Sequence, residues 1–421
     1  MKIVHISSSD FRGGAARAAY RLHQGLRALG QNSSMFVANR ETADPHVMAF
    51  QPITSLPGRL LRMLRREYLR RTFERQSAKR SPEAEVFTDD RNEYGAEVTD
   101  QLPPGDILHL HWVAGLAHYK LFFPVATRRA PVVWTLHDMN PFTGGCHYDE
   151  GCGRYRNRCG ACPQLESSKE TDFSTGVWAR KQAAYRSIRP GRLHLVAPSR
   201  WLAAAAKRSA LFSQLPISVI PNGLDVEALA PRDRRFARQV LGLPPDKRII
   251  LCVADWLDNR RKGVKFLVQA LVTLKDHGDL LVVTIGRGTG LTDVPLPHAS
   301  LGYVHDERLL SLAYSAADVF VCPTLQDNLP NTILESLACG VPVVGFNVGG
   351  VPDMVRDGET GLLVEARDAE GLGKAIAELL GNPERRRVMS ENCRRIAVEE
   401  YSLVIQARRY VELYERVLAS N

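Results

Sequence analysis

The sequence contains no long run of apolar residues. None of its 421 residues lies in a stretch of about 20 consecutive apolar side chains, the length that a membrane-spanning helix needs. The first seven residues read as a strand that runs into a polar loop, without the apolar segment of a signal peptide. We therefore expect a cytoplasmic protein whose cysteines are reduced.

Low-complexity tracts and solenoid-type repeats are also missing. Hydrophobic residues make up 44% of the chain and charged residues 24%, which is ordinary for a globular protein. The length predicts two or three domains with cores large enough to fold without disulfides. The net charge of +9 favours anionic partners, namely nucleic acid, an anionic membrane or phosphorylated ligands.

Short β-branched runs alternate with helical patterns, which predicts parallel α/β sheets. The predicted strands are 2–6, 34–37, 107–110, 132–136, 195–197, 218–220, 248–253, 280–285, 319–322 and 343–346. The predicted helices include 15–29, 262–274, 307–316, 331–338, 369–380 and 401–418. The pattern occurs twice, to about residue 197 and again from about 218 to 364, with turn-forming prolines between. We predict an N-terminal domain at 1–215, a C-terminal domain at 216–398 and a final helix within 399–421.

The most basic part of the chain is segment 57–80. Its cations face only Glu67 and Glu74 as opposing charges. These cations are Arg59, Arg62, Arg65, Arg66, Arg70, Arg71, Arg75, Lys79 and Arg80. Apolar side chains recur among them at helical spacing, at Leu60, Leu61, Leu64 and Tyr68. The pattern predicts a basic amphipathic helix, which either lies on an anionic lipid surface or is a solvated helix with its apolar stripe docked on the domain.

Two strand ends in the N-terminal half carry candidate binding residues. Gly13 and Gly14 lie between the first strand and a helix, where a ligand can approach the backbone and a helix N-terminus favours anions. A plain tight turn is the alternative. His137 follows a strand at its carboxyl end, where open α/β sheets bind ligands, and a purely structural histidine is the alternative. His109 and His111 end the preceding strand and are further candidates.

Segment 255–263 follows another strand and places three consecutive cations, Arg260, Arg261 and Lys262, beside a helix start. Such cations suit a diphosphate. They also stabilise the negative charge that develops when a nucleoside diphosphate departs. A solvated basic turn is the alternative.

Segment 322–352 reads as a strand, a polar loop, a helix, a second strand and a glycine-containing loop. Asp327 lies just before the helix and Glu335 lies inside it. Two carboxylates at this spacing can hold hydroxyls at two parts of one ligand. Asn331, Gly349 and Gly350 add amide groups at neighbouring strand ends.

This segment resembles the hallmark of glycosyltransferase family 4, the retaining enzymes of the GT-B fold. The hallmark is Glu, seven residues, Glu and an A-C-G-x-P-V-V stretch, and here it reads Asp327, seven residues, Glu335 and then the stretch at 338–344. The resemblance covers nearly the whole chain, including the element at His137 and the loop at 349–352, and is closest to bacterial exopolysaccharide enzymes of the colanic-acid type.

The resemblance implies an α/β chain of two facing Rossmann-like domains with an interdomain cleft. The N-terminal domain is expected to bind the acceptor and the C-terminal domain the nucleotide sugar. The final helix is expected to cross back onto the N-terminal domain.

The resemblance also implies roles for single residues. Glu335 holds the ribose hydroxyls, Asp327 holds hydroxyls of the transferred sugar, and Lys262 pairs with the diphosphate. His137 is implied beside the sugar, and the 13–14 loop near the diphosphate or the acceptor. The implied catalytic residues are His137, Lys262 and Asp327, and the implied donor site comprises Arg260, Arg261, Lys262, Asp327, Asn328, Leu329, Asn331, Glu335, Gly349 and Gly350.

Two positions depart from the family pattern. The first acid is Asp327 rather than Glu, which shortens its reach by one methylene. Trp256 stands six residues before Lys262, where the family often has Arg, so Arg260 or Arg261 is expected to supply that charge. These departures bear on the choice of donor.

Four of the eight cysteines lie close together, at Cys146, Cys152, Cys159 and Cys162. The final pair has the C-x-x-C spacing of a zinc half-site, and four thiolates can bind zinc tetrahedrally. A structural zinc ion and four free thiols in a packed loop are the two alternatives. The expected position of this loop, after His137, is at the acceptor side.

We expect transfer of a sugar from a UDP- or GDP-sugar to a saccharide or lipid-linked saccharide, with retention and without a catalytic cofactor, in bacterial cell-surface polysaccharide synthesis. One alternative is a sugar-nucleotide epimerase or hydrolase on the same fold. Another is a non-catalytic nucleic-acid binder. We expect no nucleic-acid partner, because the positive charge is concentrated in one helix and no nucleic-acid-binding module is present.

Overall fold

A computed structural model describes residues 1–78, 80–81, 85–288 and 291–420 and divides into two compact units. One unit comprises Met1–Pro221 and Gln406–Asn421, and the other comprises Asn222–Ile405. The boundary between them thus follows Pro221, whereas the sequence pattern places it at 216.

The first unit contains a parallel sheet that runs β3-β2-β1-β4-β5-β6-β7 through the described residues. Its elements are β1 (Lys2–Ser9), α1 (Gly14–Ala28), β2 (Asn32–Asn39), β3 (Val47–Ala49), α2 (Leu56–Gln76), α3 (Glu97–Asp100), β4 (Ile107–Leu110), α4 (Tyr119–Arg129), β5 (Val132–Thr135), α5 (Phe173–Arg186), β6 (Leu193–Ala197), α6 (Arg200–Arg208) and β7 (Ile217–Val219). The predicted strand at 218–220 is therefore the edge of the first sheet and not the start of the second. Ile217 pairs with Leu195 in parallel register, so the chain leaves the sheet only at the Pro-Asn-Gly turn.

The two faces of this sheet differ because successive strand residues point to opposite sides. Val4, Leu108 and Trp134 pack in a large apolar core on one face. Ile3 and Val133 belong to a smaller core on the other face. The second face also carries the strand residues that alternate with the large core, and near the carboxyl ends of the strands these are mostly polar.

The second unit contains a parallel sheet of order β10-β9-β8-β11-β12-β13 in the described part of the chain. Its elements are α7 (Arg234–Val240), β8 (Arg248–Trp256), α8 (Val264–Val272), β9 (Leu280–Arg287), β10 (His298–Ser300), α9 (Glu307–Ala316), β11 (Val319–Cys322), α10 (Asn331–Ala338), β12 (Val343–Phe346), β13 (Gly361–Val364), α11 (Ala369–Gly381) and α12 (Pro383–Tyr401). Buried apolar clusters cover both faces of the sheet. Both units are thus parallel α/β sheets of the predicted class.

The last helix, α13 (Leu403–Ala419), belongs mainly to the first unit. Ala407, Tyr410 and Leu413 pack in the small core of that unit. The Tyr410 hydroxyl lies 2.8 Å from Thr135 Oγ1, and the Tyr414 hydroxyl lies 2.6 Å from His109 Nδ1. Within the described chain, no helix has both the length and the apolar character needed to cross a bilayer.

Helix α2 begins at Leu56, one residue before the basic segment 57–80, because Ser55 caps it by accepting a hydrogen bond from the Gly58 amide. It ends at Gln76, so Arg80 lies beyond it, and Lys79 is outside the described residues. None of its residues is fully buried.

Candidate functional site

The candidate donor site lies at the carboxyl edge of the second sheet. Strands β8, β11 and β12 are neighbours there, and each ends in a loop that carries predicted site residues. The β8 loop carries Lys262, the β11 loop carries Asp327 and the β12 loop carries Gly349. Parallel strands present their carboxyl ends at one edge, which brings these loops together.

Asp327 is the centre of this site. Its Oδ2 accepts hydrogen bonds from Lys262 Nζ at 2.6 Å and from Arg261 Nη1 at 3.0 Å. Its Oδ1 accepts from the Asn328 amide at 2.9 Å. Burial alone would raise the pKa of Asp327, but the charges of Lys262 and Arg261 outweigh it and lower the pKa to about 2. The carboxylate is therefore ionised at neutral pH, and the three groups together carry a net charge of one positive unit.

Two glycines allow the loops to approach this closely. Gly349 has φ +56°, and a Cβ there would lie 2.1 Å from the Asp327 carbonyl oxygen. The next amide, of Gly350, donates to that same oxygen at 3.0 Å. Gly263 has φ +66°, and a Cβ there would lie 1.9 Å from the carbonyl oxygen of Pro323. A larger residue at either position would therefore separate a loop from the Asp327 loop.

The remaining predicted donor residues occupy different environments. Glu335 is buried in α10, and its Oε2 lies 3.3 Å from the Tyr314 hydroxyl. Asn331 starts the same helix, and its Oδ1 accepts from Asn222 Nδ2 at 3.2 Å. Leu329 is buried as well. Arg260, by contrast, is exposed. Of the two arginines expected to compensate for Trp256, Arg261 is therefore the one that reaches the Asp327 carboxylate.

The first unit holds a row of hydrogen-bonded histidines that begins within β1 and continues along β4 to the residues just after β4 and β5. His5 Nδ1 lies 2.9 Å from His111 Nε2, and His111 Nδ1 lies 3.1 Å from His137 Nε2. Beside them, His109 Nε2 lies 2.7 Å from Thr135 Oγ1. The alternation of side chains along parallel strands places these groups on one face of the sheet.

The histidines are neutral at physiological pH. Burial lowers the pKa of His137 to about 4, against the opposing effect of Asp138. Burial and neighbouring imidazoles hold the pKa values of His5, His109 and His111 well below the usual range. A neutral imidazole has one donor and one acceptor nitrogen. The hydrogen bonds from one histidine to the next must therefore all run in the same direction.

His5 sets that direction. His5 Nε2 is buried without a hydrogen-bond partner among the described residues, and a buried unprotonated nitrogen costs less than a buried unpaired N–H. This favours protons on the Nδ1 atoms of His5 and His111, so that His137 accepts at Nε2 and is protonated at Nδ1.

Asp138 joins the histidine region to the cysteine-rich loop. Its Oδ2 lies 2.6 Å from His147 Nδ1 and accepts from Trp112 Nε1 at 2.9 Å. Burial would raise the pKa of Asp138, but His147, the Asn140 amide and the Trp112 indole lower it below its usual value. The loop after His137 is therefore fixed to the carboxyl end of β5.

The loop at 13–14 begins α1. Gly13 has φ +87°, and its carbonyl accepts from the Arg17 amide at 3.1 Å. A Cβ at Gly13 would meet nothing within 4 Å, so conformation and not space calls for glycine there. Gly14 is exposed at the first position of the helix.

The sequence did not indicate His5, Thr135, Tyr410 or Tyr414 as part of a polar cluster. His5 and His111 lie 106 residues apart, and the tyrosines come from the far end of the chain. Only the sheet register, in which His5 pairs with His109, brings them together. The sequence signal that could have indicated this cluster is the spacing of two residues between His109 and His111 and between Thr135 and His137, which places each pair on one face of the sheet.

Residues 247–382 match the protein-family model described as "Glycosyl transferases group 1". The chain is 40% identical over 229 residues to an alpha-maltose-1-phosphate synthase of Mycolicibacterium smegmatis, covering 48% of this chain and 57% of that protein. It is 27% identical over 236 residues to the lipopolysaccharide core biosynthesis mannosyltransferase LpsB of Rhizobium meliloti, covering 51% and 65%. The chain spans about half the length of the curated relatives it matches.

Among solved structures, HepE of Anabaena in complex with UDP-glucose superposes with a TM-score of 0.67 at 17% identity, over 99% of this chain and 100% of that one. This likeness concerns the fold, and it extends over both units. The chain therefore has the predicted GT-B fold, and its residues 247–382, which contain Lys262, Asp327 and Glu335, match the group 1 glycosyltransferases.

Proposed function

We propose that the chain is a retaining glycosyltransferase that moves a sugar from a UDP- or GDP-sugar to a saccharide or lipid-linked saccharide, in the synthesis of a bacterial cell-surface polysaccharide. The observation that carries the proposal is the Asp327 carboxylate held by Lys262 and Arg261 at the strand ends of the second unit. The similarity to glycosyltransferases, among them one of lipopolysaccharide core biosynthesis, supports the class. Retention is supported by the resemblance to family 4.

The charge of the site suits a departing nucleoside diphosphate. One carboxylate pairs with two cations, so one positive charge is left for the phosphates. Lys262 has three N–H donors and gives one to Asp327, so it can bind a phosphate oxygen without releasing the carboxylate. Fixed cations stabilise the charge that grows on the leaving phosphate, and Glu335 is the group proposed to hold the ribose hydroxyls.

Asp327 has two tasks in this proposal. It orients Lys262 and Arg261, and it accepts hydrogen bonds from hydroxyls of the transferred sugar. An ionised carboxylate accepts hydrogen bonds at both of its oxygens, which suits it to bind sugar hydroxyls. On the first unit, His137 is the proposed sugar contact, with its tautomer fixed by His111 and His5.

A screen of UDP- and GDP-sugars with the full-length chain tests the proposal. We expect one donor to bind in calorimetry and to release its nucleoside diphosphate, faster when an extract of saccharides or lipid-linked saccharides is added. The matched control is Lys262→Ala prepared in parallel. Activity that is equal in both preparations would come from a contaminating enzyme. Absence of binding by every donor would overturn the proposal.

The product distinguishes the alternatives. Proton NMR of the transferred sugar should show the anomeric configuration of the donor, and the opposite configuration would exclude retention. Release of a free or epimerised sugar at a rate independent of any acceptor would instead establish the epimerase or hydrolase. Salt-dependent binding of the protein to DNA at micromolar concentration would support the alternative of a nucleic-acid-binding protein.

We also propose that the protein acts at the inner face of the cytoplasmic membrane, held by helix α2. The leucines of the apolar stripe of α2 face solvent: Leu60 and Leu64 are 53% and 56% exposed. Tyr68 is 61% exposed, and its ring lies 5.7 Å from the Arg91 guanidinium. The opposite side of the helix is the docked one. Arg62 there contacts Glu97 at 3.4 Å, and Arg65 donates to the Tyr94 carbonyl. The free face is thus apolar with exposed arginines around it, the character of a helix that lies on anionic lipid.

A further inference from the structure

The four clustered cysteines line one small cavity in the first unit. Cys146, Cys152, Cys159 and Cys162 all contribute to its wall, together with Phe87 and Tyr155. The space open to the centre of a water-sized sphere is about 20 Å³, and one water molecule or ion needs about 10–15 Å³. All four cysteines are free thiols. Four cysteines that span 17 positions of the sequence therefore line a space large enough for one ion.

Hydrogen bonds fix the backbone around the last two cysteines. The Gly144 amide donates to Cys159 Sγ at 3.1 Å. The Leu165 amide, in the short turn that follows, donates to the Cys162 carbonyl oxygen at 3.1 Å. Between the two cysteines, Ala161 has φ +40°, a conformation that a side chain other than glycine rarely adopts. This turn brings a C-x-x-C pair to the cavity, with Cys159 Sγ already accepting a hydrogen bond.

Two cations lie close enough to offset negative charge in the cluster. The ammonium group of Lys181, which is fully buried, interacts electrostatically with Cys146 and Cys159. Arg80 interacts in the same way with Cys162. Four thiolates around a divalent cation carry a net charge of −2, and burial of such a charge requires partners of the opposite sign.

We propose that Cys146, Cys152, Cys159 and Cys162 bind one zinc ion as four thiolates. Soft sulfur ligands in a tetrahedral set select zinc among the common metals, and a site with four protein ligands is closed to substrate and therefore structural. Binding releases the thiol protons to solvent.

The ion draws the sulfur atoms together. In the described residues no three of the four sulfurs lie within 4.8 Å of one another, whereas thiolates on one zinc ion are about 3.8 Å apart because zinc–sulfur bonds are about 2.3 Å. Cys152 is the ligand that moves most easily, since it is exposed and lies between Gly151 and Gly153.

A group of histidines is the competing metal site. The ring nitrogens of His5, His109 and His111 come within 4.8 Å of one another. Both nitrogens of His109, however, face hydroxyls, of Thr135 and Tyr414. His5 and His111 pair with each other at 2.9 Å. A metal there would have to break these hydrogen bonds.

The zinc ion would hold the loop from Cys146 to Cys162 in place. His147 follows the first ligand directly and lies 2.6 Å from Asp138, the neighbour of His137. The metal is thereby a positioning element for the carboxyl end of β5 and takes no part in a chemical step. The assignment stands independently of the proposed glycosyl transfer.

The test is metal analysis of the full-length chain, purified under reducing conditions without chelator and without a metal-affinity tag. We expect about one zinc ion per chain, released when a mercurial reagent titrates the cluster thiols. Cys159→Ser with Cys162→Ser should remove the zinc. The matched control is Cys393→Ala, which changes a buried cysteine of the second unit and should keep it. A protein without zinc, or zinc retained by the double variant, would overturn the assignment.

X-ray absorption at the zinc edge of the wild-type protein keeps the proposal testable if the double variant does not fold. Four sulfur neighbours at about 2.3 Å are expected. Nitrogen ligands would assign the metal to histidines and contradict the proposal. Both measurements report on the metal alone, so failure of glycosyl transfer would leave their outcome unaffected.

Discussion

Lys262 and Asp327 form an ion pair in which Nζ lies 2.6 Å from Oδ2. Arg261 shares the same carboxylate oxygen at 3.0 Å. The side chains of Arg261 and Asp327 are only 11% and 10% exposed, whereas that of Lys262 is 25% exposed. The carboxylate therefore holds one sheltered cation and one cation that solvent and ligands can reach.

Asp327→Asn should separate binding from transfer. The change leaves Lys262 and Arg261 without a counter-charge, so nucleoside diphosphate should bind up to about 100-fold more tightly, because one unit charge at about 6 Å and an effective dielectric near 20 is worth about 2.8 kcal/mol. Transfer should slow by at least about tenfold, because the sugar hydroxyls lose an anionic acceptor. Calorimetry with UDP and GDP and initial rates measure the two effects.

The control for this variant is Asp255→Asn. It removes the same charge from an exposed pair with Arg287 in the same unit, and it should change neither quantity. Weaker binding of nucleoside diphosphate by Asp327→Asn would show that the carboxylate does not restrain the cations.

Lys262→Ala should lower kcat by roughly 100-fold and raise the donor KM less, because the leaving-group charge grows toward the transition state. The exposed Lys265 one turn later gives the matched control, and Lys265→Ala should behave as wild type. An effect of Lys262→Ala confined to KM would remove the lysine from leaving-group stabilisation.

Glu335→Gln should weaken donor binding by about 1–2 kcal/mol, since a charge-assisted hydrogen bond to hydroxyls becomes a neutral one. This corresponds to a rise in Kd of roughly 5–30-fold. Glu370→Gln, at an exposed position of α11, controls for the loss of charge. Unchanged donor affinity in calorimetry would place Glu335 outside the site.

The first unit should lose stability as pH falls from about 6.5 toward 4. Burial lowers the pKa values of His137, His23 and His194 to about 4, while the unfolded chain titrates near 6.5. The unfolded state thus binds more protons in this window, so stability is complete above it and decreases below it. Each such histidine lowers the free energy of unfolding by up to about 1.4 kcal/mol for each pH unit of acidification in this window.

Tryptophan fluorescence follows this unfolding, because four of the five tryptophans lie in the first unit. The apparent Tm should fall between pH 7 and 5, and His194→Gln should reduce the fall. His298→Gln, at an exposed position of the second unit, should leave it unchanged. A Tm independent of pH in this range would show that the fold does not lower the pKa values of these histidines.

Helix α2 should bind anionic vesicles in a salt-dependent way. Each arginine near an anionic surface contributes about 1 kcal/mol, and screening at high salt reduces it. Since Arg62 and Arg65 dock the helix, the informative variant changes Arg59, Arg66, Arg71 and Arg75, all exposed, to Gln. Co-sedimentation with anionic vesicles should decrease.

Four exposed arginines elsewhere provide the control for this experiment. Changing Arg308, Arg387, Arg395 and Arg408 to Gln removes equal charge from other helices and should preserve binding. Equal binding of wild type to neutral and anionic vesicles would exclude a charge-driven attachment.

The sequence correctly predicted the helices and strands whose ends are determined by neighbouring residues in the chain. Helix α9 begins at Glu307 as predicted, because Asp306 caps the amides of Arg308 and Leu309. Strands β4, β11 and β12 also have the predicted bounds, since each is a short β-branched run between turn residues. Such signals lie within a few residues of the element that they define.

Features that depend on distant partners could not be predicted in this way. The membership of β7 in the first sheet depends on its pairing with β6. The direction in which α2 turns its arginines depends on Glu97 and Tyr94. In the candidate site, the residues Asp327, Lys262 and Glu335 were identified from the motif, but the sharing of Asp327 by two cations requires loops from two strands to meet.

The contribution of α13 to the first unit affects the order of folding during synthesis. Residues Asn222–Ile405 form one contiguous unit, so its chain is complete before the last residues leave the ribosome. The first unit cannot finish then, because Tyr410 and Tyr414 supply the hydroxyls that face Thr135 and His109. The nascent first unit keeps one sheet face uncovered until helix α13 has been synthesised. Translation therefore makes the second unit the first to mature, and an N-terminal fragment is the species most in need of a chaperone.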